Sequence, residues 1–512
     1  MPTLEEEVAS LTSATTDLLE AVNVKKATLD AQVDEATAQA VVATDQAAAA
    51  TIKAAEADAS ATLATQRASE AATARDEAVA VVTGGAASLA PAAGKIPIAG
   101  ADGLIHPGWL PASEMDYVGV AYNHVTKTFE RLGAAKGWPV GAFPGVQISP
   151  IFSRLRRVTL KDDGTVFKPI SWLDFTKYDD GASVPLDGTD GQIMVEYLPA
   201  YVRTEIVGDW YQLKISHLPL SGFTLYPLFV GKEAAYRGAY EASIYNFGGT
   251  DKLCSIAKSP ADGVSAVYPV TTRAGAWGHA SLTTAATDTL AAARGAGWRQ
   301  SHLLSAMWER ILQIVGFGTY NILGAVGNGR VSLSGGSWIN DSYIGPLGLG
   351  DAVSGLFSAN STSGAPGFLV AYSQCLGIEN SWGHVWERVA SLISDWQVFH
   401  SNPPYNYTTT AGWTRLIDAA GAGITLPNTN GYAGKPHSGL GMVLPADVSG
   451  SSTTGMYDYF YQSAGLRVLL VGGSSDDGAA PAGPFYWYAY AAATSSNAIV
   501  GGRLCFERNA PA

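Results

Sequence analysis

At 512 residues the chain is too long for a single core, and about three folding units are expected. Only 15% of its residues are charged, while 57 glycines and 10% aromatics point to many tight turns and ring-rich packing. The formal net charge of −13 argues against a protein that tracks a nucleic-acid backbone. Its three cysteines, Cys254, Cys375 and Cys505, are far apart, so neither a disulfide framework nor a CxxC metal site is read from them.

The acidity is concentrated at the start. Residues 1–83 hold 14 acids and 5 bases, a net of −9, leaving −4 for everything after them. The opening "MPTLEEEVAS" lacks a basic region followed by an apolar run, so no signal peptide is expected. The longest apolar-looking stretch, residues 311–327, is interrupted by Gln313, Thr319, Asn321 and four glycines, a poor membrane span.

Within residues 4–82, Leu4, Val8, Leu11, Thr15, Leu18 and Val22 step by alternating fours and threes, the seam of a coiled coil. Leu29 and Val33 continue it with a slip in register, and beyond about Ala36 the seam is mostly alanine. Alanine favours helix but buries little area, so partner chains are expected, with a trimer preferred. The alternative is a solvated single helix or a disordered tail. Residues 84–116, rich in Gly and Pro, end the helix and read as an extended linker. From 117 the composition turns to Val, Thr, Tyr, Trp and Gly. "RRVTLKDDGTVFKPI" is a hairpin signal around Asp162-Asp163-Gly164. A helix is expected in "WRQSHLLSAMWERILQIV", where Leu304, Trp308, Ile311 and Val315 share a face.

In "PFYWYAY", strand alternation sends Phe485 and Trp487 to one side and Tyr486, Tyr488 and Tyr490 to the other. Tyrosine offers large contact area with few rotors to freeze, and the flanking loops add Ser474, Ser475, Asp476 and Asp477 on one side and Ser495, Ser496 and Asn497 on the other. This is the residue chemistry of a recognition surface. The competing reading buries both faces of the strand. Glu379, Asn380, Trp382, Trp386 and Glu387 mix indoles with carboxylates. They read as a buried polar network beside packed rings, or alternatively, for Glu379 and Glu387, as an acid/base pair.

Residues 94–111, "GKIPIAGADGLIHPGWLP", resemble a short motif of phage tail fibres, found where a coiled stalk meets the next module. Four further stretches resemble, in order, phage receptor-binding proteins whose head has the C-type-lectin-like fold, the major tropism determinant class that retroelements diversify in some phages. These are "IMVEYLPAYVR" with "KISHLPLSGFTLYPLF" and "AYRGAYEASI"; "GAGWRQSHLLSAMWERIL"; "GIENSWGHVWERV"; and the glycine-flanked end of the chain. His384 stands where that family usually has Asn, and Gly502 where it usually has an aromatic. The resemblance implies an α+β chain: a coiled-coil stalk for virion attachment at 1–83, a linker at 84–116, a small β-rich region at 117–190 and a lectin-like receptor-binding head at 191–512. It implies a host-surface receptor (pilus, glycan or protein) as one partner, baseplate or tail proteins as another, and a place on the virion. It also implies that the 485–490 stretch supplies the receptor face.

No enzyme motif is found: no Walker loop, no G-x-S-x-G, no H-E-x-x-H. Calcium-dependent lectins carry E-P-N or Q-P-D together with W-N-D. Here only "SWINDS" at 337–342 comes near, with Ile339 inserted, so no cofactor or metal is expected. A tail-borne polysaccharide depolymerase and a purely architectural baseplate part are the alternatives to a binding protein.

Overall fold

The computed structural model describes residues 3–30, 32, 65–66, 114–145, 149–271, 282–331, 344–351, 371–401, 403–418, 420–478, 482–495 and 497–510, together with the backbone strands Ala87–Ser88, Ile96–Pro97 and Phe357–Asn360. The alanine-rich seam beyond residue 32, most of the linker, the 337–342 segment and Ser496 lie outside the described residues. The chain divides into two compact units, Met1–His106 and Pro107–Ala512. Taken together they make an α+β protein with an N-terminal helix and a β-rich body.

In the first unit, residues 4–30 are helical. The helix starts at a capping box: the Glu6 amide donates to Thr3 Oγ1 at 3.4 Å, and the Thr3 amide donates to Glu6 Oε2 at 2.8 Å. Its expected seam is bare in the single chain. Leu4 is 78% exposed and Leu11 72%, with Val8, Leu18 and Val22 also exposed.

Among the described residues the second unit has three large sheets, with a two-stranded hairpin (Ser243–Phe247 and Thr250–Cys254) and a small three-stranded sheet (Phe357–Asn360, Tyr372–Cys375, Ile378–Glu379) beside them. A five-stranded antiparallel sheet runs Thr224–Leu225, Tyr201–Val207, Trp210–Ser216, Val118–Asn123, Phe129–Gly133. A six-stranded antiparallel sheet runs Trp298–Gln300, Arg503–Asn509, Lys232–Glu241, Gln192–Tyr197, Arg156–Leu160, Val166–Ile170. The Arg156–Leu160 and Val166–Ile170 strands form the hairpin around Asp162-Asp163-Gly164. Among the described residues, 117–190 form no sheet of their own. The strands at 118–133 join those at 201–225, and the 156–170 hairpin joins the strand at 192–197. A boundary at 190 would cut through two continuous ladders of hydrogen bonds.

Helix Leu303–Phe317 is buried on every side, with its end capped by Gly318 at φ 68°. Its Trp308 packs against Tyr226 and Phe229 at centroid distances of 5.0 and 5.3 Å. The one-faced helix read from the sequence is therefore an all-round core helix, and its charged residues are absorbed by internal partners. Glu309 accepts from Arg237 Nε at 2.6 Å and from Arg310 Nη1 at 2.8 Å.

The third sheet carries the stretch of interest. Its order is Thr414–Arg415, Gln397–His400, Trp386–Ser394, Arg467–Gly472, Gly483–Ala489, Tyr459–Gln462, Gly431–Tyr432, with Val500–Gly501 pairing in parallel with the Trp386–Ser394 strand.

Candidate functional site

Register decides which side chains meet on this sheet. Arg388 is opposite Leu470, Leu470 is opposite Tyr488, and Tyr488 is opposite Tyr461, so four neighbouring strands place these residues in one row. One residue along, Glu387, Val471, Trp487 and Phe460 make the matching row. Successive side chains on a strand point to opposite faces, so the two rows face apart. The second row enters the main core: Trp487 and Phe460 are fully enclosed, and Phe485 is 1% exposed. The Trp487 indole donates to the Val443 carbonyl at 2.8 Å.

The first row belongs to a separate aromatic cluster containing Trp386, Tyr486 and Leu470. Here the tyrosines are graded rather than uniformly outward. Tyr486 is 7% exposed, Tyr488 is half-buried and Tyr490 is 47% exposed. The cause is Trp386, whose indole meets the Tyr486 ring edge-on at 4.6 Å and the Tyr488 ring at 5.2 Å. Tyr490 lies beyond its reach, beside Tyr461 and Tyr488 at 5.6 and 5.7 Å. Tyr486, expected on the recognition face, is thus a packing residue, because a strand a hundred residues earlier in the chain covers it.

The polar loops need a similar correction. Ser474 and Ser475 are both enclosed. The Ser474 amide and hydroxyl each donate to Asp477 Oδ2 at 2.8 Å, which turns both groups inward, and the Ser475 amide donates to the His384 carbonyl at 2.9 Å. Asp476 is exposed and Asp477 is half-buried. Burial pushes the Asp477 carboxyl up to about 6, against the pull of the Ser474 donors. Ser495 and Asn497 are half-buried. The Ser495 hydroxyl accepts from the Ala492 amide at 3.0 Å.

What remains open on this face is a cleft of about 280 Å³ lined by Arg388, Leu470, Tyr488, Tyr490, Ala491, Ser495, Asn497 and Val500. Four of the residues picked out in the sequence, Tyr488, Tyr490, Ser495 and Asn497, come together there. Arg388 and Leu470 were missed. The signal for Arg388 was present in "WERV": alternation puts Trp386 and Arg388 on one face and Glu387 on the other.

The Glu379–Trp386 segment is internal. Glu379 accepts the amides of Gly348 and Gly350, each at 2.9 Å. Asn380 donates to Glu241 Oε2 at 3.2 Å, and the Trp382 indole donates to the Asn328 carbonyl at 3.2 Å. His384, also enclosed, accepts the Gly345 amide on Nε2 at 2.9 Å, which leaves Nδ1 to donate to Glu241. Glu387 accepts from Arg237 Nη2 at 2.6 Å and from Arg503 Nε at 3.2 Å.

The two glutamates titrate apart. Burial, reinforced by Asp351, raises Glu379 to about 8. Burial would also raise Glu387, but Arg237 and Arg503 hold it down to about 2. A protonated and an ionised carboxyl are the ingredients of acid/base chemistry. These two, however, are 0% and 5% exposed and wholly engaged with internal donors, so they offer nothing to a substrate. Gly502 lies near helix Thr284–Ala292, with Thr287 Cγ2 at 3.8 Å from where a Cβ would sit.

All three cysteines are buried and unpaired. Among the described residues, no group of three or more His, Cys, Asp or Glu is placed to hold a metal, and no helix is long and apolar enough to cross a membrane. No protein-family model matches the chain, and no curated protein matches it significantly.

Proposed function

We propose that this chain is a phage tail-fibre or tail-tip protein that attaches the virion to the host surface by non-covalent recognition. In this reading residues 1–83 form a trimeric coiled-coil stalk that joins baseplate or tail proteins, and the β-rich body is a C-type-lectin-like head. The observation that carries the proposal is the cleft beside Tyr488 and Tyr490. It combines rigid, partly exposed tyrosines with small polar groups on a sheet whose other face is locked into the core. Such a surface has few rotors to freeze on binding and a hydroxyl at each ring for adaptable hydrogen bonds. The bare Leu/Val seam supports association of chains. Three heads on one stalk would multiply a modest affinity per head.

The test is adsorption of the purified full-length protein to host cells, alongside an assay for new reducing ends on host polysaccharide. Binding without new reducing ends is expected. Cleavage would favour a depolymerase, and absence of binding would favour an architectural part.

A further inference from the structure

The cleft has a charge that ring stacking does not require. Arg388 is 1% exposed. Its Nη1 donates to the Leu282 carbonyl at 3.2 Å and its Nη2 to the Ser495 carbonyl at 2.6 Å, while Nε is buried with no hydrogen-bond partner. Among the described residues no carboxylate pairs with it. Burial lowers the guanidinium to about 10, which leaves it charged at neutral pH.

Several other enclosed arginines face carboxylates instead. Arg157 faces Asp351 at 2.9 Å, Arg237 faces Glu309 and Glu387, and Arg503 faces Glu387. Arg131 pairs with no carboxylate among the described residues, but it gathers four carbonyls, two of them at the end of helix Leu303–Phe317. Arg388 has two carbonyls and an open cleft. A second guanidinium lies near Tyr490 without lining the cleft: Arg467 sits 5.6 Å over that ring, and its Nε donates to the Ala464 carbonyl at 3.0 Å and its Nη2 to Ser463 Oγ at 3.2 Å.

We propose that this cleft binds a carboxylate-bearing pyranose, an acidic sugar residue of a surface polysaccharide, with the carboxylate toward Arg388 and the sugar ring against Tyr488 and Tyr490. The proposal rests on the receptor-binding reading and gives that receptor a chemical class. An unpaired buried charge is costly to a fold unless something compensates it. Here the fold has already stripped Arg388 of water, so only the ligand's carboxylate has to be desolvated when the pair forms. The Tyr488 ring is backed by Tyr461, stacked at 5.2 Å and 11°, and makes a flat wall for the C–H face of a sugar. Ser495 and Asn497 also line the cleft, which places polar side chains near the ring hydroxyls. The volume, about 280 Å³, lies just under the ~300 Å³ lower end of small-molecule pockets and suits one sugar residue rather than a length of peptide.

The test uses full-length protein and ligand-observed NMR titration with glucuronate, galacturonate and N-acetylneuraminate, each against a neutral methyl glycoside, and with a polyglutamate peptide. At least one acidic sugar should bind at least about tenfold more tightly than its neutral counterpart, as expected for a charge-assisted hydrogen bond. Added salt should weaken it. Asn497→Ala and Tyr490→Ala should each reduce the affinity several-fold without lowering the melting temperature. Arg388→Gln should abolish the preference for acid over neutral sugar, its folding checked by melting. Equal binding of acidic and neutral sugars, or binding of none, overturns the proposal. Preference for the peptide also overturns it and makes the ligand a protein.

Cell adsorption measured in parallel separates the two readings. Adsorption that no acidic sugar binds or competes with removes this inference and leaves the receptor reading standing. Sugar binding without adsorption does the reverse.

Discussion

Tyr461 and Tyr488 stack across two parallel strands, their ring centroids 5.2 Å apart and their planes 11° from parallel. Neither ring can turn without displacing the other, so the wall of the cleft is held before any ligand arrives. Along the same strand the tyrosines grade from packing to contact, and mutations should follow that gradient. Tyr486→Ala should cost about 3–5 kcal/mol of stability, as should Phe485→Ala and Trp487→Ala, because each opens a cavity. Tyr490→Ala should change stability by no more than about 0.5 kcal/mol. It should nevertheless cost host binding about 2 kcal/mol, roughly thirtyfold in affinity, if Tyr490 is a central contact. Melting and adsorption of each single variant check the series. An early-melting Tyr490→Ala would show that the exposed end of the strand is structural.

Asp477 should make the polar loop sensitive to pH. Its folded pKa of about 6 lies above the ordinary 3.8, so the folded state keeps a proton that the unfolded chain has lost. Stability from this group is therefore present below about pH 3.8 and declines as pH rises toward 6. Asp477→Asn retains an oxygen for the two Ser474 donors and removes the titration. The variant should match the wild type at pH 3.5 and exceed it by up to about 3 kcal/mol at pH 7. Melting curves across that range decide it, and a gap that shrinks as pH rises would reverse the assigned sign.

Glu387 should behave in the opposite sense. Held down to about 2 by Arg237 and Arg503, it contributes stability above its ordinary 4.5 and loses it as pH falls toward 2. Glu387→Gln leaves two buried guanidiniums short of their partner and should cost about 3–5 kcal/mol at pH 7. The deficit should narrow below pH 4.5. Chemical denaturation at pH 7 and pH 3 measures both values, and a constant deficit would mean that the side chain matters for shape rather than charge.

The N-terminal helix sets the fourth expectation. With Leu4, Val8, Leu11, Leu18 and Val22 all exposed in the single chain, the full-length protein should sediment as an oligomer at micromolar concentration. Replacing Leu11 and Leu18 with Lys should weaken that assembly without altering the melting of the body. A wild-type monomer in sedimentation velocity would remove the stalk from the proposal.

Local features were legible in the sequence wherever the cause was local. The 303–317 helix followed from its apolar spacing, the hairpin from Asp162-Asp163-Gly164, and the separation of Trp487 from Tyr488 from strand alternation. What remained hidden depended on register between distant strands. Nothing near Tyr486 says that Trp386 will cover it, and nothing near Arg388 says that Leu470 and Tyr488 will extend its row. Ser474 and Ser475 look like surface residues because small polar side chains usually are. They turn inward here because Asp477 and the His384 carbonyl supply partners that no composition rule contains.

The strand Arg503–Asn509 lies inside the six-stranded sheet, between Trp298–Gln300 and Lys232–Glu241, and Arg503 Nη1 donates to the Gly238 carbonyl across 265 positions of chain. During synthesis the Lys232–Glu241 strand therefore emerges with one edge unpaired, and it stays so until more than 260 further residues have been made. Pairing of such high contact order is slow, and an open strand edge is a site for aggregation in the interval. Translation that stalls before residue 503 should yield chains unable to close this sheet, so closure of the sheet reports that synthesis has passed the Arg503–Asn509 strand.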